Sequence, residues 1–313
     1  MELPLRQTRL RTRQLLLIEA QTLIQSATKD ASQEEIGNGS PAASPDITLL
    51  PSRLLRSHTK LSKEEHALLL LKQARLQAAI LAPPTDVSIS GIAATLIFAQ
   101  AEAGTAVCIH ESGLLLTCAH CIADTEVELD VSKSHLLLFA SGTVVLAQCA
   151  VWDPKRDLAL LKITAAQRPL QDDSSLASQH WQFPALGLAD RSPKVGTKLV
   201  CIGQPGSEDL ECEEAGVETG YEVLCASEGR FEGYADGQDV QDNEEIGALM
   251  HSCWTYWGHS GAPLVQRTAQ GEVLVGVHSS WDEETAMRRG VGIEAIREFL
   301  RGKIGLETGV SPG

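Results

Sequence analysis

Beyond about Val87 the chain alternates short apolar runs, each of strand length, with turn residues. Residues 92–99, 106–109, 114–118, 135–140, 143–152 and 158–163 make one series. Residues 198–202, 221–226, 246–253, 263–266 and 273–278 make a second. Runs of this length and spacing predict an all-β barrel or sandwich. A helical pattern over residues 293–301 closes the region, and residues 303–313 read as a tail. Before Val87 the texture differs. Leu16, Ala20, Leu23 and Ala27 share one face of a helix predicted over residues 1–30. Gly37, Gly39, Pro41, Pro45 and Pro51 mark residues 31–60 as a flexible linker. Residues 61–86 read as an amphipathic helix. Ser62 and Glu65 fit a capping box, and Ala67, Leu70, Leu71, Ala74, Ala78 and Leu81 form an apolar stripe. Pro83 and Pro84 stop it.

Composition narrows the picture. The 313 residues suit one large domain or two modest ones, and 43% apolar content excludes wholesale disorder. No apolar run reaches the length of about 18 residues that a membrane span needs, so no membrane is expected as a partner. The net charge is −15, from 26 Lys and Arg against 41 Asp and Glu. Most of that excess lies in residues 203–245, which hold fourteen acids and one base, Arg230. Such a chain is a poor binder of nucleic-acid phosphates. The acidic stretch reads as a solvated, partly disordered insertion at about 207–245.

The eight cysteines make an even number, yet the first 20 residues lack the pattern of a secretory signal. Reduced thiols and a cytoplasmic or nuclear setting are the expectation. The start carrying Arg6, Arg9, Arg11 and Arg13 has a second reading, a mitochondrial transit peptide.

Three segments of the β region carry candidate chemistry. Leu114-Leu-Leu-Thr-Cys-Ala-His-Cys121 delivers His120 at the end of an apolar strand. Arg156-Asp-Leu-Ala-Leu-Leu-Lys-Ile163 places Asp157 just before another, and Gly258-His-Ser-Gly-Ala-Pro-Leu264 sets Ser260 between glycines. A serine hydroxyl attacks well only when a base takes its proton, and imidazole titrates near neutrality. A buried carboxylate fixes the imidazole tautomer. Glycines let main-chain N–H groups approach a substrate carbonyl and stabilise the oxyanion. Each segment alone is commonly structural. Together, in the order His, Asp, Ser on a β-rich background, they point to acyl transfer.

Residues from about 87 to 302 resemble the trypsin-like serine peptidases. Thr117-Cys-Ala-His-Cys121 is similar to that family's Thr-Ala-Ala-His-Cys, and Asp157-Leu-Ala-Leu-Leu161 to its Asp block. Gly258-His-Ser-Gly-Ala-Pro263 is similar to its Gly-Asn/Asp-Ser-Gly-Gly-Pro. Ile202-Gly-Gln-Pro-Gly206 resembles a turn of the HtrA-like and glutamyl-endopeptidase-like branches. The resemblance implies a mainly β protein of two six-stranded antiparallel barrels of the chymotrypsin type. It implies His120 as general base, Asp157 as its orienter, Ser260 as nucleophile, and the N–H groups of Gly258 and Ser260 as the oxyanion hole. The implied activity is that of an intracellular serine endopeptidase acting on proteins or peptides.

Two positions depart from the pattern. His259 stands where secreted trypsins carry an Asp that pairs with a new N-terminus, so activation of that kind is not expected. A surface-facing side chain is the expectation for it. Ala262 replaces a common Gly. Cys118 and Cys121 form half of a zinc ligand set with no second half, so neither metal nor other cofactor is expected.

In this fold the specificity pocket falls at Thr255, Tyr256 and Trp257 and at His278, Ser279 and Ser280. No acid lies between Trp254 and Ser260, which argues against an Arg or Lys preference. Gly276-Val-His278 is similar to the Gly-Ile-His of glutamyl endopeptidases, and Thr255 matches their Thr five positions before the serine. A preference for cleavage after Glu or Asp is the expectation, by charge-assisted hydrogen bonds. The alternative reading of the chain is a catalytically silent trypsin-like fold acting as a binding or scaffold module. The N-terminal helices would be its surface for a protein partner.

Overall fold

The structure, a computed structural model, describes residues 47–78, 89–99, 104–167, 182–212, 214 and 216–301. All of these belong to one unit, Pro45–Gly313. The helix expected over residues 1–30, the first part of the linker, residues 79–86 of the second helix and the tail lie outside the described residues.

The first group of strands is β1 (Thr48–Leu50), β2 (Thr95–Phe98), β3 (Thr105–His110), β4 (Leu114–Thr117), β5 (Ser134–Phe139), β6 (Val144–Asp153) and β7 (Leu158–Gln167). They pair in the order β1-β7-β4-β3-β2-β5-β6, and β6 pairs again with β7. Strands β2 to β7 therefore close into a six-stranded antiparallel barrel. The second group is β8 (Gly187–Leu188), β9 (Lys198–Gly203), β10 (Cys225–Tyr234), β11 (Leu249–His251), β12 (Pro263–Thr268), β13 (Gly271–Asp282) and β14 (Met287–Gly292). Their order is β12-β9-β10-β11-β14-β13-β8, with β12 also pairing β13, so β9 to β14 close a second such barrel. Strands β1 and β8 are parallel additions on β7 and β13.

Four helices accompany the barrels: α1 (Arg56–Thr59), α2 (Lys63–Ala78), α3 (Ile89–Ala94) and α4 (Ile293–Leu300). The continuous apolar texture of β4 and β7 has a simple cause. Leu115 and Leu161 face each other inside the first barrel, while Leu116 and Leu160 join the larger core that runs into the second. Both faces of these strands are buried, so alternation is lost from the sequence.

Several expectations need correction. Residues 31–60 are not all linker. Thr48–Leu50 pairs with β7, and the Gln167 side-chain amide donates to the Pro51 and Ser52 carbonyls at 3.2 and 3.1 Å. The apolar run at 92–99 opens as the end of α3 before it becomes β2.

The capping box of α2 is formed. The Ser62 N–H donates to Glu65 Oε2 at 2.8 Å, and the Glu65 N–H donates to Ser62 Oγ at 3.1 Å. Its buried face, however, is Leu69, Lys72 and Leu76, while Leu70 and Leu71 are exposed. The Lys72 ammonium donates to the Phe98 carbonyl at 3.0 Å, so a polar residue occupies a core position by finding a backbone acceptor.

The acidic stretch is not one insertion. Residues 207–223 form an excursion bridged at Glu208 and Glu218, and β10 then returns to the barrel between β9 and β11. Glu228, Arg230 and Glu232 lie on β10 near a single deeply buried Phe231, and this hid a barrel strand among the acids.

Candidate active site

His120 follows the end of β4. Past Thr117 the chain turns through Cys118 into a 3-10 turn, Ala119–Cys121, held by the Trp152 indole N–H donating to the Ala119 carbonyl at 3.1 Å. Asp157 ends a turn over residues 154–157, its N–H donating to the Pro154 carbonyl at 3.1 Å. Its φ of +52° lies in the left-handed region, which Asp tolerates better than most residues. That turn tucks the carboxylate beneath the histidine with the residue only 6% exposed.

His120 Nδ1 lies 2.9 and 3.0 Å from the two Asp157 oxygens, and the His120 main-chain N–H donates to Oδ1 at 3.2 Å. A carboxylate accepts hydrogen bonds, so this contact assigns the ring proton to Nδ1 and leaves the lone pair on Nε2. Nε2 is buried and has no hydrogen-bond partner among the described residues. An orphaned polar atom of this kind is costly and needs a functional reason.

The serine loop is fixed by main-chain geometry. The His259 N–H donates to the Tyr256 carbonyl at 3.1 Å, and Gly258 between them has φ +97°. Those two features are the signature of a type II turn, which demands glycine at its third residue. The Trp257 carbonyl at the centre of that turn accepts from the Gly206 N–H at 2.6 Å. A planar trans peptide sets its N–H opposite its C=O, so the Gly258 N–H points away from Gly206. Among the described residues, neither that N–H nor the one of Ser260 has an acceptor.

Thr105 of β3 clamps the same loop from the first barrel. Its N–H donates to the Ser260 carbonyl at 2.7 Å and its hydroxyl to the Gly258 carbonyl at 3.1 Å. The close approach also explains Gly261, where a Cβ would fall 2.0 Å from the Thr105 carbonyl oxygen.

The structure thus bonds His120 directly to Asp157. Ser260 is not bonded to His120: its hydroxyl donates to the Ser279 carbonyl at 3.3 Å. Cys121, next to the histidine, approaches the Ser260 carbonyl with its thiol at 3.6 Å.

His259 corrects the expectation of a surface side chain. It is fully buried, with its ring edge-on to Trp254 at 5.5 Å, and a Cβ on Gly203 would lie 2.6 Å from it. Burial pushes its pKa down to about 4, so it stays neutral at physiological pH. The Asp of secreted trypsins is therefore replaced here by an uncharged ring packed under the serine loop.

The predicted specificity residues divide. Tyr256 stacks with Trp254 and meets Tyr221 edge-on, and its hydroxyl donates to Asp209 Oδ1 at 2.8 Å. This wall is tied to the acidic excursion. Thr255 and Trp257 are half-buried in the same segment. His278 is buried on β13, its Nδ1 3.0 Å from Nε2 of His251 on β11. Burial, with the Arg288 charge second, pushes His251 down to about 3. The Ser279 and Ser280 hydroxyls lie 3.2 Å apart beside this pair.

Thr105, His251 and Arg288 were not singled out from the sequence, and Gly206 entered only as the end of the Ile202–Gly206 turn, not as a support of the serine loop. No local motif marks Thr105, and His251 follows Leu249 in strand alternation within a run read only as apolar.

Cys118 Sγ, His120 and Asp157 offer ligand atoms within 4.8 Å of one another. The Cys118 thiol donates to the His278 carbonyl at 3.4 Å. Burial, and then the Asp157 charge, push its pKa well above the ordinary range. It is held as a thiol, whereas metals take the thiolate. None of the eight cysteines forms a disulfide.

A family model described as the trypsin-like peptidase domain matches residues 104–277. No match is found among curated proteins. Among solved structures, an inactive-form Ser-to-Ala mutant of Rv3671c from M. tuberculosis H37Rv is 17% identical, with a TM-score of 0.48 over 74% of this chain and 99% of its own. Another inactive form, of Rv3671c protease, is 18% identical, with a TM-score of 0.46 over 69% and 91%. The HtrA-type protease AlgW with a decapeptide is 20% identical, with a TM-score of 0.40 over 64% of this chain and 52% of its own.

Proposed function

The chain belongs to the trypsin-like peptidase domain family and is a serine-type peptidase, and we propose that it works through His120, Asp157 and Ser260 and cuts after acidic residues. Its substrates are proteins or peptides. The observation that carries the triad is the two-oxygen contact of Asp157 with His120 Nδ1, which leaves Nε2 buried and unpartnered.

In the proposed reaction, rotation about the Ser260 Cα–Cβ bond moves its hydroxyl from the Ser279 carbonyl to His120 Nε2. Nε2 takes the hydroxyl proton as Oγ attacks the substrate carbonyl. The Gly258 and Ser260 N–H groups receive the oxyanion. The imidazolium, balanced by Asp157, then protonates the leaving amine, and water repeats the sequence to release the acyl group.

The acidic preference is supported by polar groups next to the serine: the pair of His278 on β13 with His251 on β11, and the Ser279 and Ser280 hydroxyls, with the Ser279 carbonyl accepting from the Ser260 hydroxyl. A fluorophosphonate probe tests the first part. It is expected to label wild-type protein and not the Ser260→Ala variant; a folded wild type that stays unlabelled would favour the catalytically silent scaffold. Peptide-library profiling tests the second. Cleavage mainly after Leu or Phe would remove the acidic preference.

A further inference from the structure

We infer that Arg288 on β14 is the specificity-determining cation that holds the carboxylate of the substrate residue whose carbonyl is attacked. This rests on the acidic preference proposed above.

Strand register places the residue. Arg288 lies directly opposite His251 of β11 on one side and Trp281 of β13 on the other. Residues directly opposed in antiparallel strands project to the same face. Arg288 therefore shares the face of the His251–His278 pair, near the end of β13, whereas Ser280 pairs with Arg289 and turns to the other face past the register shift after His278. Its guanidinium carbon sits 4.6 Å from the centre of the Trp281 ring, a cation–π contact that holds it in place.

The charge is uncompensated. Arg288 Nε is buried with no hydrogen-bond partner, and no carboxylate lies within ion-pair distance among the described residues. That is unexpected in a chain with a net charge of −15. The neighbouring Arg289, on the opposite face, also has an Nε without a hydrogen-bond partner but is matched by an acid: it donates to Gln238 Oε1 at 3.1 Å and pairs with Asp282 at 3.8 Å. A half-buried guanidinium left without an acid is a site with its counter-ion still to come.

The other groups near it supply no competing charge. Burial first, and the Arg288 charge after it, hold His251 neutral; His259 is neutral mainly through burial. The thiols of Cys201 and Cys253, which also feel Arg288, are pushed up by burial. His251 and His259 are then uncharged neighbours, and the fixed charge on this face belongs to Arg288. A planar guanidinium suits a carboxylate because it can form two parallel N–H···O bonds.

The test compares kcat/KM for matched peptides carrying Glu, Gln or Leu at the residue before the cut bond. Wild type is expected to favour Glu over Gln by about tenfold or more, the size of a hydrogen bond to a charged group. In Arg288→Gln, checked for folding by thermal melting, the Glu-to-Gln ratio is expected to fall towards one. A wild type with no preference for Glu overturns the acidic reading and this assignment with it. A wild type that prefers Glu, with Arg288→Gln retaining the preference, overturns Arg288 alone. Should the variant not fold, the wild-type ratio measured from pH 6 to 9 decides. A guanidinium stays charged throughout and keeps the ratio constant. Loss of the preference above about pH 7 would assign the charge to a histidine instead.

Discussion

Asp157 and Gly258 carry their effects through single atoms. In Asp157→Asn the shape is kept, but an amide can turn its NH2 towards His120 Nδ1. The ring then favours the tautomer with its proton on Nε2, where it cannot accept the serine proton. The expected outcome is a fall in kcat of about 10⁴-fold with an unchanged circular dichroism spectrum. Gly258→Ala acts differently. A Cβ there would lie 2.5 Å from the Gln204 carbonyl oxygen, and φ +97° is strained for any L side chain. The turn is expected to give way and carry the Gly258 N–H with it. Steady-state kinetics should show kcat reduced by about 10²- to 10³-fold with KM little changed, the loss typical of one oxyanion donor.

The excursion at residues 207–223 acts as an element. It touches the serine loop at two points, where Asp209 accepts from the Tyr256 hydroxyl and Tyr221 packs against Trp254 and Tyr256, while the Gly206 N–H just before it holds the Trp257 carbonyl. The Thr219 hydroxyl in turn donates to the Gly206 carbonyl at 2.8 Å, bracing the residue that holds the turn. Thr219→Val removes that brace at nearly constant volume. A hydrogen bond of about 1 kcal/mol corresponds to roughly a fivefold change in the population of the braced turn. Turnover is therefore expected to fall about fivefold with the melting temperature nearly unchanged. Turnover equal to wild type would show that the excursion is a passive loop. Its composition alone suggested a solvated insertion, because charge counts carry no information about which backbone groups a loop supplies.

At the scale of the molecule, buried titratable groups set the response to pH. His135, His251 and His259 are buried with pKa values pushed down by burial to about 4, 3 and 4. The unfolded chain binds their protons from about pH 6.5 downward while the folded chain does not. Stability is thus present above pH 6.5 and lost as pH falls towards 4, by up to about 1.4 kcal/mol per pH unit for each histidine. Lys72 is pushed down by burial to about 7. Between pH 7 and 10.5 the unfolded state holds its proton more tightly than the folded state, so stability rises with pH across that window. Urea midpoints should climb from pH 5 to pH 7. Between pH 7 and 9 the gain from Lys72 is opposed by Cys108, Cys118, Cys201 and Cys253, whose thiols burial pushes up and whose stabilisation is lost as the unfolded chain ionises them. Lys72→Met is expected to make the change in midpoint from pH 7 to 9 less favourable than in wild type, and an unchanged difference would remove Lys72 as its source.

Chain order and spacing alone determined that His120, Asp157 and Ser260 are candidates on an all-β barrel or sandwich, because strand-length runs and glycine-flanked turns are local signals; the pair of barrels was implied by the family resemblance. The capping box at Ser62 and Glu65 was legible for the same reason: both partners lie within one helical turn. Strand β14 was not legible, since Met287, Arg288, Arg289 and two glycines make a weak apolar signal that only pairing with β11 and β13 turns into a strand. The buried face of α2 was misread because Lys72 is acceptable inside only beside the Phe98 carbonyl, 26 residues away. His259 is buried for a similar reason, under Gly203 of a distant strand. The bonds that orient the Gly258 peptide come from Gly206 and Thr105, on separate strands and loops. Residue types and local periods can be read along a chain, but which distant backbone group satisfies a buried polar atom is decided only when the barrels close.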